Sequence, residues 1–391
     1  MEPLNALPLK LKESIEKIIQ NEQFTSYHVE VKNISSKGAN FMGYLHEINI
    51  NGKINKEDKE INIFAKSMVD GEEVMQIYSV KNVYNREMYT YNELMKIFEE
   101  LQNDFDVPDE KKFNIVKSFD ETNNENIILE NLAKKGYKNY YRMDEMRLDF
   151  TVFAVKELAK LHGLSFALEK IQPEYFEKNI KPLEQPFYFN TDWDNYVMNM
   201  FEFSLKYLDE DVRMKYKNKL WTIVNKYPDY MKDKSSICTF VHGDYKMNNI
   251  MVRELNGVPT KVIAIDYQIM HYGSPVNDFL YLIFNGTDQE FRKNHLTHLK
   301  EVYHETMKEF LEYFQIEINE IFPRVLFEKL LNEKMDFGLA IQFFYIPFLF
   351  AAEDDVPDVT GDLGAVSFKV DDRYGTRLKG VIEDFIQWGY L

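Results

Sequence analysis

The residues best suited to chemistry lie in one polar stretch, residues 240–252, which has apolar flanks on both sides. His242 and Asp244 stand near its start, and Asn249 follows Asp244 by five positions. A separate carboxylate, Asp266, ends a later apolar, strand-like run. Phosphoryl transfer needs a carboxylate that accepts a hydroxyl proton, with an Asn and a second carboxylate that hold magnesium on nucleotide phosphates. The spacing therefore predicts phosphoryl transfer, with Asp244 as the base and Asn249 and Asp266 as the magnesium ligands.

A His-Gly-Asp tripeptide alone is common by chance, whereas its combination with the spaced Asn and the strand-borne Asp is much rarer. A structural alternative makes Asp244 a turn former, Asn249 a cap and Asp266 the end of a strand. The complete set favours the catalytic interpretation, in which His242 is a second candidate catalytic residue. Asp278, in the first turn of the next predicted helix, is either a cap for that helix or a buried brace for the catalytic loop.

A lysine and a glutamate in the N-terminal part are predicted to form an ion pair. Lys66 lies within an apolar, strand-like run, and a buried lysine must be paired, for instance by a phosphate and a carboxylate. An outward-facing lysine on an edge strand is an equal alternative. Tyr84, Glu87 and Tyr91 fall on one face of a predicted helix. A carboxylate between two aromatic residues on that face makes Glu87 the expected partner of Lys66.

A short polar loop with two glycines, residues 35–43, joins two predicted strands at 27–34 and 44–50. Such a loop can bring free backbone N–H groups close to nucleotide phosphates. Two glycines in a hairpin are more often an ordinary turn. The loop therefore supports nucleotide binding only in combination with the downstream residues.

The remaining pattern predicts an α+β protein with two lobes. Strands predicted at 61–68, 113–120 and 125–132 complete a small antiparallel sheet of about five strands. We expect an N-lobe of residues 1–132, which binds the nucleotide, and a larger, mainly helical C-lobe of residues 133–391, which carries the catalytic loop and the acceptor site. Helical spacing of apolar residues occurs over 9–19, 143–166, 196–207, 212–224, 291–314 and 323–351.

Composition sets further limits on function. The net charge of −17 argues against a nucleic-acid partner and against an anionic membrane surface. The most apolar late stretch, 337–352, contains Gln342 and Pro347 and is too short and broken to span a membrane. The single cysteine, Cys238, excludes an intramolecular disulfide and fits a reducing, cytoplasmic location. With 30 Phe and 25 Tyr, an internal cleft is expected to be lined by aromatic side chains.

These motifs resemble the ecdysteroid kinase-like family, also called CHK kinase-like, which belongs with the choline kinases and aminoglycoside phosphotransferases. The similarity extends over nearly the whole chain. The matching segments are 37–40, 84–91, 130–137, 158–162, 242–251, 265–268 and 272–281.

The resemblance implies a two-lobed protein-kinase-like fold, ATP with Mg²⁺ as cofactors, and a small-molecule hydroxyl as the phosphate acceptor. Ecdysteroid phosphorylation is the best-known activity in the family. The resemblance also implies a set of nucleotide-binding residues: Ser36, Lys37, Gly38, Asn40, Lys66, Glu87, Glu130 and Leu132.

The chain departs from the family pattern at a few positions. Tyr245 and Lys246 stand where Leu-Trp is usual, Asn131 replaces an Asp in the hinge, and Tyr267 replaces a Phe. None of these changes removes a group that phosphoryl transfer requires. Lys246 is expected either to alter substrate contacts or to help neutralise charge on the γ-phosphate.

Two other functions are open at this stage. One is a binding protein on the same fold that sequesters a steroid or another lipophilic hormone. The presence of Lys66, Asp244, Asn249 and Asp266 argues against it, since an inactive kinase usually lacks one of them. The other is a protein kinase, which ranks last. Asp266 is followed by Tyr267 and Gln268 in place of the Phe-Gly pair of protein kinases, and no Ala-Pro-Glu segment is present.

Overall fold

A four-stranded antiparallel sheet, in the order β1-β2-β3-β4, forms the N-terminal part of the protein. The computed structural model describes residues 3–34, 43–68, 77–353, 355 and 368–391. The strands of this sheet are β1 (Ser26–Ile34), β2 (Tyr44–Ile54), β3 (Glu57–Ser67) and β4 (Asn126–Glu130).

One face of the sheet is covered by α1 (Leu9–Asn21), the helix that the spacing of apolar residues over 9–19 predicts. Successive side chains of a strand point to opposite faces, so Ile48 and Ile50 of β2 both face this helix. They form a small hydrophobic core with Leu11, Ile15 and Ile18 of α1. Burial of this apolar surface, at about 25 cal/mol per Å², stabilises the contact between helix and sheet.

The sheet differs from the prediction at two places. Strand β2 continues to Ile54, past its predicted end at residue 50, so the β2–β3 turn lies at Asn55 and Lys56, which have positive φ angles of 49° and 74°. The predicted strand 113–120 is reduced to one isolated bridge, between Ser118 and Leu129, so the sheet has four strands. At the start of that segment, the backbone N–H groups of residues 113 and 114 donate to the side chains of residues 102 and 157 and not to a neighbouring strand.

The helix predicted to carry Tyr84, Glu87 and Tyr91 is present as α2 (Val80–Tyr89). It continues into a π-helical turn, Thr90–Leu94, and then into α3 (Met95–Asp104). The buried side chains of these elements belong to the large core that they share with the C-terminal helices, and not to the α1 core.

The C-terminal part contains twelve of the helices that the described residues form. In chain order they are α4 (Leu148–Ile171), α5 (Pro173–Asn179), α6 (Thr191–Leu205), α7 (Glu210–Val224), α8 (Tyr227–Lys232), α9 (Pro275–Gly286), α10 (Gln289–Glu312), α11 (Ile318–Ile321), α12 (Arg324–Glu333), α13 (Met335–Phe344), α14 (Ile346–Leu349) and α15 (Arg373–Gln387).

Two small sheets lie among these helices. The predicted catalytic loop, residues 242–249, connects a strand of one sheet to a strand of the other. Strands β5 (Tyr137–Lys138), β7 (Ile250–Leu255) and β8 (Val258–Ala264) form one sheet, and β6 (Thr239–Val241) pairs with β9 (His271–Gly273) in the other. The β7–β8 hairpin turns at Asn256 and Gly257, whose φ angles of 53° and 78° suit an Asn-Gly hairpin turn.

The long C-terminal helix predicted over 323–351 is divided into α12, α13 and α14. Pro347, in the first turn of α14, supplies one break, because proline has no N–H to donate and its ring clashes with the preceding helical turn. The helix predicted over 143–166 is shifted and runs as α4, from residue 148 to residue 171.

An antiparallel sheet followed by a mainly helical remainder confirms the predicted α+β fold class. The boundary between residues 132 and 133 stays a prediction, since α2 and α3 share a core with the C-terminal helices. None of the helices in the described part of the chain combines the length and the apolar character that a membrane crossing requires.

Candidate active site

The predicted ion pair between Lys66 and Glu87 is present, and it belongs to a larger group. Lys66 Nζ lies 2.9 Å from Glu87 Oε2, 3.0 Å from Asp266 Oδ1 and 2.9 Å from Gln268 Oε1. Lys66 and Glu87 are buried, whereas the side chain of Asp266 keeps 25% of its surface exposed. The group therefore joins β3, α2 and the segment that follows β8.

Burial and charge act in opposite directions on these groups. Burial alone lowers the pKa of Lys66, yet the carboxylates of Asp266 and Glu87 raise the pKa of Lys66 above its ordinary value. Burial raises the pKa of Glu87, and Lys66 offsets part of this effect. For Asp266, burial raises the pKa but Lys66 holds it below its ordinary value. Asp266 is thus the carboxylate of this group best prepared to carry a negative charge towards the cleft.

The predicted base, Asp244, is buried and hydrogen-bonded through both carboxylate oxygens. Lys246 Nζ lies 2.8 Å from Oδ1 and 2.6 Å from Oδ2. The hydroxyls of Tyr281 and Tyr345 lie 2.7 Å and 3.0 Å from Oδ1, and Asn249 Nδ2 lies 2.9 Å from Oδ2. These donors fix the orientation of the carboxylate.

Lys246 is a buried cation directly beside the predicted base. Burial alone lowers the pKa of Lys246, but Asp244 and then Tyr345 raise the pKa above its ordinary value. Its Nζ also lies 2.5 Å from the hydroxyl of Tyr345 and 5.2 Å from the centre of that ring. The departure from the family pattern at this position therefore places a fixed positive charge against Asp244.

Asp278 holds the catalytic loop in place, as its interpretation as a buried brace predicts. Its carboxylate accepts hydrogen bonds from the backbone N–H groups of His242, at 2.7 Å, and Gly243, at 2.9 Å. His162 Nε2 lies 3.2 Å from the same carboxylate, and its Nδ1 lies 2.6 Å from the hydroxyl of Tyr303. Asp278 thus ties α9, α4 and the catalytic loop together, and His162 is a buried, hydrogen-bonded core histidine.

His242 has no exposed surface, and both of its ring nitrogens are engaged. Nε2 lies 3.1 Å from the carbonyl oxygen of Ile265, and Nδ1 accepts from the backbone N–H of Asp244 at 3.3 Å. Burial lowers the pKa of His242, which favours the neutral ring. The geometry gives His242 a positioning role between the base and the segment leading to Asp266, without contact to the cleft.

The β7–β8 hairpin brings the two predicted magnesium ligands to one place. Asn249 precedes β7, Asp266 follows β8, and the N–H of Ile265 donates to the carbonyl oxygen of Asn249 at 2.9 Å. Asn249 uses its Nδ2 towards Asp244, which leaves its amide oxygen for another partner. Asp266 uses Oδ1 towards Lys66 and keeps a second oxygen.

These oxygens fit a magnesium ion that is also held by substrate phosphates, because Mg²⁺ takes oxygen ligands and usually only one or two carboxylates. A metal site built from three or more His, Cys, Asp or Glu side chains is not found within the described ranges. The oxygens of Asn249 and Asp266 could therefore supply only part of the coordination of a magnesium ion, and other groups would have to complete it.

A cavity of about 520 Å³ lies against these residues and between the sheet and the C-terminal part. Lys66, Asn249 and Asp266 line one part of it, and Glu130 and Leu132 line another. Most of its remaining wall is apolar, and part of that apolar wall comes from residues of β2, β3, β4 and β7. This apolar wall includes Leu45, Phe64, Ile127, Leu129 and Met251. The predicted glycine-loop residues Ser36, Lys37, Gly38 and Asn40 lie outside the described residues.

For several residues of the site, the sequence pattern predicts no contact with Lys66 or Asp244. Gln268 contacts Lys66 over a separation of 202 residues, and Tyr345 contacts Asp244 over 101 residues. Tyr281 offers a weak signal, because it follows Asp278 by three positions and so lies on the same face of α9.

The sequence model described as "Ecdysteroid kinase-like family" matches residues 37–316. No curated protein matches the sequence significantly. Among solved structures, an ethanolamine kinase from Plasmodium vivax is 17% identical, with 80% of each chain covered and a TM-score of 0.38. A choline kinase from Streptococcus pneumoniae is 12% identical, with 96% of this chain and 99% of that chain covered and a TM-score of 0.39.

Proposed function

The chain belongs to the ecdysteroid kinase-like family, and on this premise we propose that it transfers the γ-phosphate of ATP to a hydroxyl group of a small molecule. One observation carries the proposal. A single cavity is lined by Lys66, Asn249 and Asp266, and Asn249 is hydrogen-bonded to the buried carboxylate of Asp244. Phosphoryl transfer uses four such side chains: a lysine that contacts the phosphates, two metal ligands and a base.

In this proposal, bound ATP with magnesium supplies the phosphoryl group and neutralises its charge. Lys66, oriented by Glu87, contacts the nucleotide phosphates. The side-chain oxygens of Asn249 and Asp266 hold the metal ion. Glu130 and Leu132 border the part of the cavity that receives the base of the nucleotide.

Asp244 orients the acceptor hydroxyl and accepts its proton late in the transfer. Tyr345 is the partly exposed member of the group around Asp244, so the acceptor is proposed to approach from this side. Its neighbour Phe344 packs against Tyr227 and Trp193, with ring centres 4.8 Å and 5.6 Å apart. An aromatic surrounding with the cation of Lys246 nearby favours an uncharged, lipophilic alcohol, and ecdysteroids are the first compounds to test.

The hormone-binding alternative is disfavoured by the same geometry. Lys66, Asp244, Asn249 and Asp266 are all present and are joined by hydrogen bonds. A protein that only sequesters a ligand has no need for this arrangement. The proposal also places the protein in the cytoplasm, since its one cysteine, Cys238, is a free thiol.

The test is a phosphorylation screen with ATP and Mg²⁺ over ecdysteroids, other sterols, choline analogues and phenolic glycosides, with mass spectrometry to detect a phosphorylated product. We expect that at least one uncharged alcohol of the panel is phosphorylated. The Asp266→Ala variant is expected to form no product while its circular dichroism stays that of the wild type. Turnover by this variant at the wild-type rate would show that Asp266 is not the metal ligand. A wild type that binds a hormone tightly and phosphorylates none of the panel would favour the binding-protein alternative.

A further inference from the structure

The backbone at Asp266 has an unfavourable conformation that something must hold. Its φ angle is 73°, in the left-handed region, which residues with a side chain adopt rarely. Other described residues of this kind, such as Asn55 and Asn256, lie in hairpin turns, where Asn is well tolerated. Asp266 instead lies at the wall of the cavity, where strained residues often have a functional reason.

Tyr91 supplies a direct contact to this backbone. The N–H of Asp266 donates to the hydroxyl oxygen of Tyr91 at 3.1 Å. Tyr91 is 2% exposed, and its ring packs edge-on against Tyr267, with ring centres 5.6 Å apart. Tyr91 therefore contacts the backbone of Asp266 through its hydroxyl and the side chain of Tyr267 through its ring.

Tyr91 belongs to the π-helical turn that continues α2. Such turns are rare and occur frequently at functional sites. Glu87 precedes Tyr91 by four positions, so both side chains project from the same side of the helix. Glu87 reaches the side chain of Asp266 through Lys66, and Tyr91 reaches its backbone. One helical segment therefore holds Asp266 by two separate links.

We propose that Tyr91 is a positioning residue for the metal ligand Asp266, and that the α2 segment sets the geometry of the metal–nucleotide site through it. This inference rests on the proposed function, in which Asp266 binds Mg²⁺. A displacement of α2 would change both links together. The position of this helix would then determine whether Asp266 can hold the metal ion.

The test compares Tyr91→Phe with Tyr89→Phe. The Tyr91→Phe variant loses one oxygen and keeps the ring that packs against Tyr267. Tyr89 lies in the same helical segment, and its hydroxyl lies 2.7 Å from that of Tyr175. Removal of the Tyr89 hydroxyl therefore costs a comparable hydrogen bond at a place that does not contact Asp266. Hydrogen exchange measured by mass spectrometry reports on the N–H of Asp266 without any ligand, and exchange of peptides elsewhere shows whether each variant is folded.

We expect faster exchange of the Asp266 peptide in Tyr91→Phe alone. Loss of a group that orients a metal ligand typically costs about 10–100-fold in metal affinity. The affinity for ATP with Mg²⁺ should therefore fall by about tenfold or more in Tyr91→Phe, with the affinity for metal-free ATP little changed. Tyr89→Phe should behave as the wild type in both measurements.

Unchanged exchange at Asp266, or an equal loss of affinity with and without Mg²⁺, would overturn the inference. A wild type that binds no ATP in the presence of Mg²⁺ would refute the proposed function instead. In that case the exchange measurement would still decide whether Tyr91 holds the backbone of Asp266.

Discussion

At the scale of one residue, the surroundings of the buried carboxylate of Asp244 fit the catalytic role that we propose for it. Lys246, Tyr281, Tyr345 and Asn249 all direct polar atoms at its two oxygens. A group held in this way does not have to reorganise when the acceptor hydroxyl arrives, and such preorganisation is a large part of enzyme catalysis. The same arrangement means that a change at Asp244 also leaves the buried charge of Lys246 without its partner.

Replacing Asp244 by Asn keeps the shape of the side chain and removes the proposed proton acceptor. Turnover should fall by roughly 10²–10⁴-fold, the range that general base catalysis contributes, with ATP affinity little changed. Steady-state kinetics and nucleotide binding check both expectations. The Asp244→Asn/Lys246→Met double variant is the control, because it also removes the unpaired cation. It should recover stability in urea unfolding relative to the single variant but should not recover turnover. Wild-type turnover by Asp244→Asn would assign the base to another residue.

At the scale of elements, the catalytic loop depends on the close approach of two segments. Gly243 has a φ angle of 80°, and a Cβ added there would lie 2.5 Å from the carbonyl oxygen of Ile269. Gly257, in the β7–β8 turn, has a similar φ angle of 78°, but an added Cβ would meet nothing within 4 Å. The two glycines share a backbone conformation and differ in the space around them.

This difference separates backbone strain from steric conflict. Gly257→Ala should lose about 1–2 kcal/mol of unfolding free energy, the cost of the left-handed conformation, and keep its activity. Gly243→Ala should lose more, because the loop must also move away from Ile269, and its turnover should fall with the displacement of Asp244. Urea unfolding and steady-state kinetics measure both variants. Equal losses of stability and normal turnover in both would mean that the contact with Ile269 does not constrain the loop.

How far the elements could be predicted from the sequence depended on the range of the interactions. Helix α1 and the ion pair of Lys66 with Glu87 follow from local apolar patterns, because periodicity and an awkward buried charge are visible in short stretches. The segment 113–120 has a strand-like pattern, but the side chains of Gln102 and Glu157 take two of its backbone N–H groups. No pattern within the segment reveals these distant acceptors.

The scale of the whole molecule adds contacts that bring together distant parts of the chain. The catalytic pattern of Asp244, Asn249 and Asp266 was predicted because it lies within one hairpin and its entry loop. The contact of Tyr345 with Asp244 depends on where α13 ends and on how it packs against α9. Such packing is a property of the complete core, so the sequence around Tyr345 does not contain it.

Asp278 connects the stability of the whole molecule with the pH. Burial raises the pKa of Asp278, but the hydrogen bond with His162 and the nearby His242 and N–H of Gly243 hold it below its ordinary value of 3.8. A carboxylate whose pKa is lowered by folding stabilises the native state above the pKa of the unfolded chain. This contribution is lost as the pH falls through the lower pKa of the folded state.

Asp278→Asn should therefore be less stable than the wild type at neutral pH, by about 1–3 kcal/mol, because one of the acceptor oxygens that holds α4, α9 and the catalytic loop together is replaced by an amide group. The difference should narrow as the pH falls below about 4, since the wild type then loses its carboxylate while the variant has none to lose. Urea unfolding of both proteins between neutral and acidic pH measures this difference. Asp120→Asn is the control, because Asp120 is 85% exposed and its removal should change stability by less than about 0.5 kcal/mol. A difference between wild type and Asp278→Asn that stays constant into the acid range would mean that packing of the side chain, and not its charge, stabilises this junction.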